Sequence, residues 1–137
     1  MTKLKSGIEA LTAKSDDDIR YSFQIVEKET EEYIGWLNSY NIDNNYEYTT
    51  EKGYCTIGIS IPEQRFRGKG YGTQAYIAVI DYFKSKGIED IYTQTWSGNT
   101  RMVRLAQKLG FKVVQAKKGL MVRGEKYEGL TFKRQMS

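Results

Sequence analysis

From Arg67 to Gly72 the chain reads Arg-Gly-Lys-Gly-Tyr-Gly, with glycine at every second position and cations at Arg67 and Lys69. Glycine permits positive φ and close approach of backbone to a ligand, and three such residues carry a conformational cost that a plain basic turn would not need. The run before them, Tyr54–Ile61, alternates as a strand does. The run after them, Tyr71–Lys86, repeats its apolar residues at helical spacing. A loop so placed brings its own backbone N–H groups and a helix N-terminus to one point, which suits an anion, and a pyrophosphate above all. Arg67 and Lys69 add charge where phosphates would sit. Other phosphate loops fit worse. A Walker loop follows its lysine with Ser or Thr, whereas Lys69 is followed by Gly70. A dinucleotide fingerprint sets two residues before its last glycine, and here only Tyr71 intervenes.

Little else in the chain offers chemistry. Histidine is absent, which removes the usual neutral-pH base and the commonest metal ligand. The one cysteine, Cys55, lies in an apolar alternation and reads as a small buried hydrophobe; alone it makes neither a disulfide nor a zinc site. No metal is expected. The net charge of +4 hides an asymmetry: Met1–Thr50 holds 5 basic and 10 acidic residues, and Glu51–Ser137 holds 16 and 7. The basic part suits RNA or a phosphorylated cofactor, the acidic part a cationic substrate, and solvated faces would explain either equally well. No apolar run approaches the length of a membrane span, and Met1–Ala10 lacks the apolar stretch of a signal peptide, so the expected location is the cytoplasm, with no membrane partner.

The elements that must position the loop follow from periodicity. Ser6–Lys14 has helix-like content. Tyr21–Val26 and Tyr33–Leu37 read as strands across a charged turn at Glu27–Glu32, and Asn38–Asn45 is rich in turn formers. Ile57, Ile59 and Ile61 share one face of the strongest strand, which Pro62 can close. In the helix, Ala75, Tyr76, Val79, Ile80 and Phe83 recur at the inward spacing and Gly87 stands as its C-cap. Ile91–Thr95 reads as a strand, and Asn99–Leu109 as a helix turning Met102, Val103, Leu105, Ala106 and Leu109 inward before a second glycine cap at Gly110. Phe111–Gln115 and Tyr127–Lys133 alternate around a turn at Arg123–Glu125. With no repeat or proline-rich linker, one mixed α/β domain over residues 1–137 is the economical expectation.

Arg67–Gly72 matches the Gln/Arg-x-x-Gly-x-Gly/Ala signature of the GNAT acetyltransferases. Ile59–Thr73, and Asn99–Phe111 with its closing Leu109-Gly110-Phe111, resemble the ribosomal-protein N-acetyltransferase (RimJ/RimL) branch. The resemblance spans roughly Tyr21–Lys133. It implies a central, mostly antiparallel sheet splayed at an acetyl-CoA site, with flanking helices, and acetyl-CoA as co-substrate without a metal. It implies that Arg67, Gly68, Lys69, Gly70, Tyr71, Gly72 and Thr73 cradle the pyrophosphate. Backbone groups of Ile59, Ser60 and Ile61 would hold the pantetheine arm and polarise the thioester carbonyl, and Asn99 would contact the pantetheine. A primary amine, either a protein N-terminus or a small polyamine, would then attack directly, with no acyl-enzyme.

Three positions depart from the family pattern. Thr56 stands where relatives often carry a glutamate base, Met102 where the branch often has a serine, and Ala106 where a tyrosine is common. Tyr54, Glu47 and Tyr127 are the polar groups nominated to reach the cleft in their place. Relatives also begin with more structure than the twenty or so residues before Tyr21, so a shortened N-terminus and an incomplete acceptor wall are expected. A homodimer could complete that wall, with Tyr33-Ile34-Gly35-Trp36 as material. Two other functions compete: an acyl-CoA binder without turnover, suggested by the three departures, and an RNA- or ribosome-binding module using the basic part. No DNA partner is expected.

Overall fold

A computed structural model describes Thr2–Lys3, Ile8–Ala10 and residues 21–134. The described residues have a mixed α/β fold: among them are strands in mostly antiparallel pairing and two α-helices, as the residue periodicities anticipate. The chain divides into two compact units, Met1–Ser39 with Gly58–Ile88 and Tyr40–Ile57 with Glu89–Ser137. Among the described residues no helix is long and apolar enough to cross a membrane.

In the first unit the strand order is β1 (Thr2–Lys3), β2 (Ile8–Ala10), β3 (Ser22–Glu27), β4 (Tyr33–Ile42) and β6 (Tyr54–Ser60), the last two contributing residues to both units. The register Phe23↔Leu37 and Ile25↔Gly35 puts the buried Phe23, Ile25 and Leu37 on one face of the β3–β4 pair. Helix α1 (Tyr71–Ser85) covers that face with Ala75, Tyr76, Val79, Ile80 and Phe83, the stripe read from the sequence. Phe83 meets Phe23 edge-on, with centroids 6.1 Å apart, a pairing worth about 0.5–1.5 kcal/mol beyond the area it buries. The helix stops at Gly87, whose φ of 84° allows Ile88 N–H to return to Phe83 O at 3.0 Å.

The second unit orders β4, β6, β7 (Ile91–Trp96), β9 (Glu125–Arg134) and β8 (Lys112–Val122), with β5 (Tyr48–Thr49) beside β4. Here β6 and β7 run parallel through Thr56↔Tyr92 and Ile57↔Thr93, and β6 continues three residues past the second pair. Buried threonines are tied in: Thr93 Oγ1 donates to Ile57 O at 2.7 Å, and Thr131 Oγ1 accepts from Gln94. Helix α2 (Thr100–Lys108) ends as α1 does, with Gly110 at φ 87° and Phe111 N–H on Ala106 O. Arg123 (φ 51°) and Gly124 (φ 80°) make the two-residue turn that suits the twist of the β8–β9 hairpin.

Two expectations need correction. Ile8–Ala10 is strand rather than helix, because it pairs with Ile25–Glu27; the remainder of Ser6–Lys14 lies outside the described residues. The turn formers after Leu37 do not end the strand, since β4 runs on to Ile42 and pairs there with β5. The turn proper centres on Asp43, whose carboxylate accepts from Asn45 and Glu47 N–H.

Candidate cofactor-binding site

The glycine loop is built in the first unit. Proline 62 follows β6 and brings no ladder donor, so the strand can end there. A 3-10 turn over Gln64–Phe66 then buries Phe66. Arg67 is exposed, yet its guanidinium bonds to the backbone beside the loop. Its Nε donates to Ile61 O at 2.9 Å and its Nη2 to Pro62 O at 3.2 Å, so the side chain ties the loop to the end of β6. Gly68 and Gly70 take φ of 73° and 85°. A Cβ on Gly68 would meet nothing within 4 Å, and one on Gly70 would meet Gln74 Nε2 at 3.8 Å. Backbone sign, not crowding, is therefore what asks for glycine here.

Gly70 is the N-cap of α1, and no side chain caps the helix. The first turn of the helix is closed by a bond from Gln74 N–H to Gly70 O at 3.0 Å. The N–H groups of Tyr71, Gly72 and Thr73 thus stand at the positive end of a 15-residue helix. Lys69 is exposed beside them. Three side-chain features around this loop were not read from the sequence. Gln74 holds a buried Oε1 with no protein partner. The Tyr71 hydroxyl donates to Glu27, which holds its pKa above the ordinary value. Arg65, lying over the Phe66 ring at 4.1 Å, pairs with Glu32 at 2.7 Å and Glu63 at 2.8 Å, and that bond to Arg65 holds the Glu32 carboxyl below its ordinary range. A glycine in the middle of a strand could have flagged a fourth. A Cβ on Gly35 would overlap Ser60 O, so β4 touches the end of β6 backbone to backbone.

An uncapped helix after two left-handed glycines is a general anion cradle, and comparison narrows it. A family model described as an acetyltransferase (GNAT) domain matches residues 3–112. The chain belongs to the GNAT acetyltransferase family. No curated protein sequence matches it. Solved structures share the fold. The ribosomal-protein-S5-alanine acetyltransferase from Vibrio fischeri superposes with a TM-score of 0.67 at 22% identity, over 85% of this chain and 61% of that one. The yncA protein of Salmonella typhimurium, solved with its cofactor acetyl-CoA, gives 0.67 at 18% over 85% and 65%. Spermidine/spermine N-acetyltransferase SpeG from Vibrio cholerae gives 0.67 at 17% over 85% and 65%. The chain spans less than two thirds of the length of each of these three, and at such identities they establish the fold.

The remaining nominated residues of this GNAT chain lie in the second unit. Asn99 is the N-cap of α2, its Oδ1 accepting from Met102 N–H at 3.2 Å. Tyr54 stacks on Tyr92 with centroids 4.8 Å apart and donates to Asn44 Oδ1 at 3.0 Å. The Glu47 carboxylate lies 3.5 Å from Lys117 Nζ. Tyr127 meets Trp96 edge-on at 4.8 Å and donates to Glu125, which raises its pKa. Each nominee thus has a structural partner of its own. The three positions that depart from the family are buried: Thr56 spends its hydroxyl on Tyr54 O, and Met102 and Ala106 offer no ionisable group. Cys55 has its thiol pushed up to about 11 by desolvation, so it stays protonated and unreactive near neutral pH. Among the described residues no cluster of three or more His, Cys, Asp or Glu could hold a metal.

Proposed function

We propose that this chain transfers an acetyl group from acetyl-CoA to a primary amine, as the ribosomal-protein branch of its family does. The observation that carries the reading is the uncapped N-terminus of α1 behind left-handed Gly68 and Gly70. It offers three N–H donors and a helix dipole to a pyrophosphate, and no side chain competes for them. In this reading Arg67 keeps the loop in place and Lys69 supplies the free charge. The backbone of Ile59–Ile61 carries the pantetheine arm. Asn99, with Oδ1 committed to its cap, retains its Nδ2 group for a pantetheine carbonyl.

The chemistry asks little of side chains. The amine nitrogen attacks the thioester carbonyl carbon, the oxygen takes up negative charge, and the C–S bond breaks to release CoA thiolate, which takes a proton. An ammonium with a pKa of about 10 must first lose its proton. With Thr56, Met102 and Ala106 buried and unable to titrate, water removes it, and rate comes from positioning and from backbone N–H donors facing the oxyanion. The acceptor is a protein N-terminus or a small polyamine.

The same buried departures favour a second reading, an acyl-CoA binder without turnover. Isothermal titration of acetyl-CoA, followed by thiol release with basic peptides and polyamines, separates the two: binding with release establishes the transferase, and binding without release favours the binder. Gly70→Asp sharpens the assignment. Aspartate tolerates positive φ better than most residues, so the fold survives, but its carboxylate stands against the pyrophosphate. Acetyl-CoA binding is expected to be lost, and unchanged affinity in the folded variant would overturn the loop assignment.

A further inference from the structure

Two carboxylates sit beside a loop read as an anion site, an arrangement that would weaken phosphate binding if both charges were open. Neither is. The turn joining β3 to β4 is closed on itself, Glu27 N–H donating to Glu32 O at 2.8 Å and Glu31 N–H to Glu27 O at 2.9 Å, with Glu31 at a φ of 59°. Closure holds Glu27 and Glu32 at the two ends of one short turn. From there each reaches a different end of the phosphate loop. Glu32 pairs with Arg65, in the 3-10 turn that opens the loop, and Glu27 accepts from the hydroxyl of Tyr71, the first residue of α1. Phe66 bridges the two contacts, its ring beneath the Arg65 guanidinium and edge-on to Tyr71 at 6.2 Å.

We propose that the Glu27–Glu32 turn is a clamp that sets the conformation of the Arg65–Tyr71 loop, with Glu27 and Tyr71 as positioning residues for acetyl-CoA. This rests on the acetyl-CoA reading of the loop. Gly68 and Gly70 give that segment a wide choice of backbone states, and an ordered anion cradle requires that the choice be removed before the ligand arrives. The Glu27–Tyr71 bond removes it at the helix end, by holding the residue whose N–H is the first donor. The Arg65–Glu32 pair acts at the other end and more weakly, because both side chains are about half exposed, at 58% and 42%.

The test compares wild type with Glu27→Ala, Glu27→Gln, Tyr71→Phe and the control Glu29→Ala. Two readouts are taken: acetyl-CoA affinity by titration, and amide hydrogen exchange of Gly68–Gly72 in the unliganded protein. Glu27→Ala and Tyr71→Phe are each expected to weaken affinity by about tenfold and to speed exchange in the loop, the size of one lost charge-assisted hydrogen bond. Exchange in the core of α1 stays at its wild-type rate. Glu27→Gln removes the charge but keeps an acceptor oxygen, so it is expected to lose only about threefold. In the double variant Glu27→Ala/Tyr71→Phe the losses do not add, since both singles break one bond. Tighter binding in Glu27→Ala, or loop exchange unchanged in both single variants, would overturn the clamp. Wild-type protein that fails to bind acetyl-CoA would defeat the functional reading instead, and the exchange comparison would still decide the clamp.

Discussion

Cys55 shows how a single residue's environment settles its chemistry. Its side chain is partly covered in β6 and its thiol is pushed up to about 11 by loss of hydration. Against an ordinary value of about 8.5, the reactive thiolate at neutral pH falls by a few hundredfold. Alkylation by iodoacetamide at pH 7.5, followed by intact mass, is therefore expected to run at least about a hundredfold slower than for a free cysteine. Labelling at the rate of a free thiol would show that the group is neither buried nor inert. The same scale explains what could be read in advance at the site. The glycine loop was legible because its requirement is local: positive φ at Gly68 and Gly70 and a helix beginning at Tyr71. Glu27 and Glu32 were not, because their partners lie 44 and 33 residues away in sequence and no periodicity links them. The bonds from Arg67 to the end of β6 were not legible either, since nothing in a sequence marks a guanidinium that is tied to a strand end.

Between elements, β4 approaches the end of β6 closely, which Gly35 makes possible. A Cβ there would overlap Ser60 O and come within 3.1 Å of Ile61 Cα. Backbone cannot step aside as a flexible side chain does, so Gly35→Ala forces β4 and β6 apart where Ile59–Ile61 is read as the pantetheine shelf. The expected loss is about 1–3 kcal/mol of stability, typical of overpacking. Urea denaturation gives that figure directly, and acetyl-CoA titration of the folded fraction is expected to show weakened binding as well. A Gly35→Ala protein as stable as wild type would mean that the two strands are not in contact there. Helix ends were easy to anticipate, because Gly87 and Gly110 each supply the left-handed residue that lets the next N–H fold back. Strand ends were harder. Asn38 and Asn41 favour turns when alone, yet β4 carries both, with Ile42 buried and Asn41 paired to Thr49. Pairing outweighed local preference there, as it did at Ile8–Ala10.

Across the molecule, 11 tyrosines give stability a dependence on alkaline pH whose sign can be worked out. Tyr40 and Tyr92 are held above their ordinary value near 10 chiefly by desolvation. Tyr71 and Tyr127 are raised chiefly by hydrogen bonds to Glu27 and Glu125. For each of the four the folded state favours the neutral phenol. Below about pH 10 the phenol is neutral in folded and unfolded chains alike, so the contribution is fully present. As pH climbs from there through the raised folded values, the unfolded chain has already released these protons and the folded one has not, and stability falls. Tyr40 and Tyr92 dominate, since water screens the more exposed pairs. Tyrosinate absorbance near 295 nm is thus expected to rise at higher pH in the folded protein than in urea, and the urea midpoint is expected to drop between pH 8 and 10.5. The sequence shows that many phenols exist but not which are dry: Tyr92 is 3% exposed and Tyr48 is 69% exposed. Titration curves that coincide in folded and unfolded protein would mean that Tyr40 and Tyr92 are hydrated. A late folded curve with an unmoved urea midpoint would mean that some other group, deprotonating more readily in the folded state, offsets their loss.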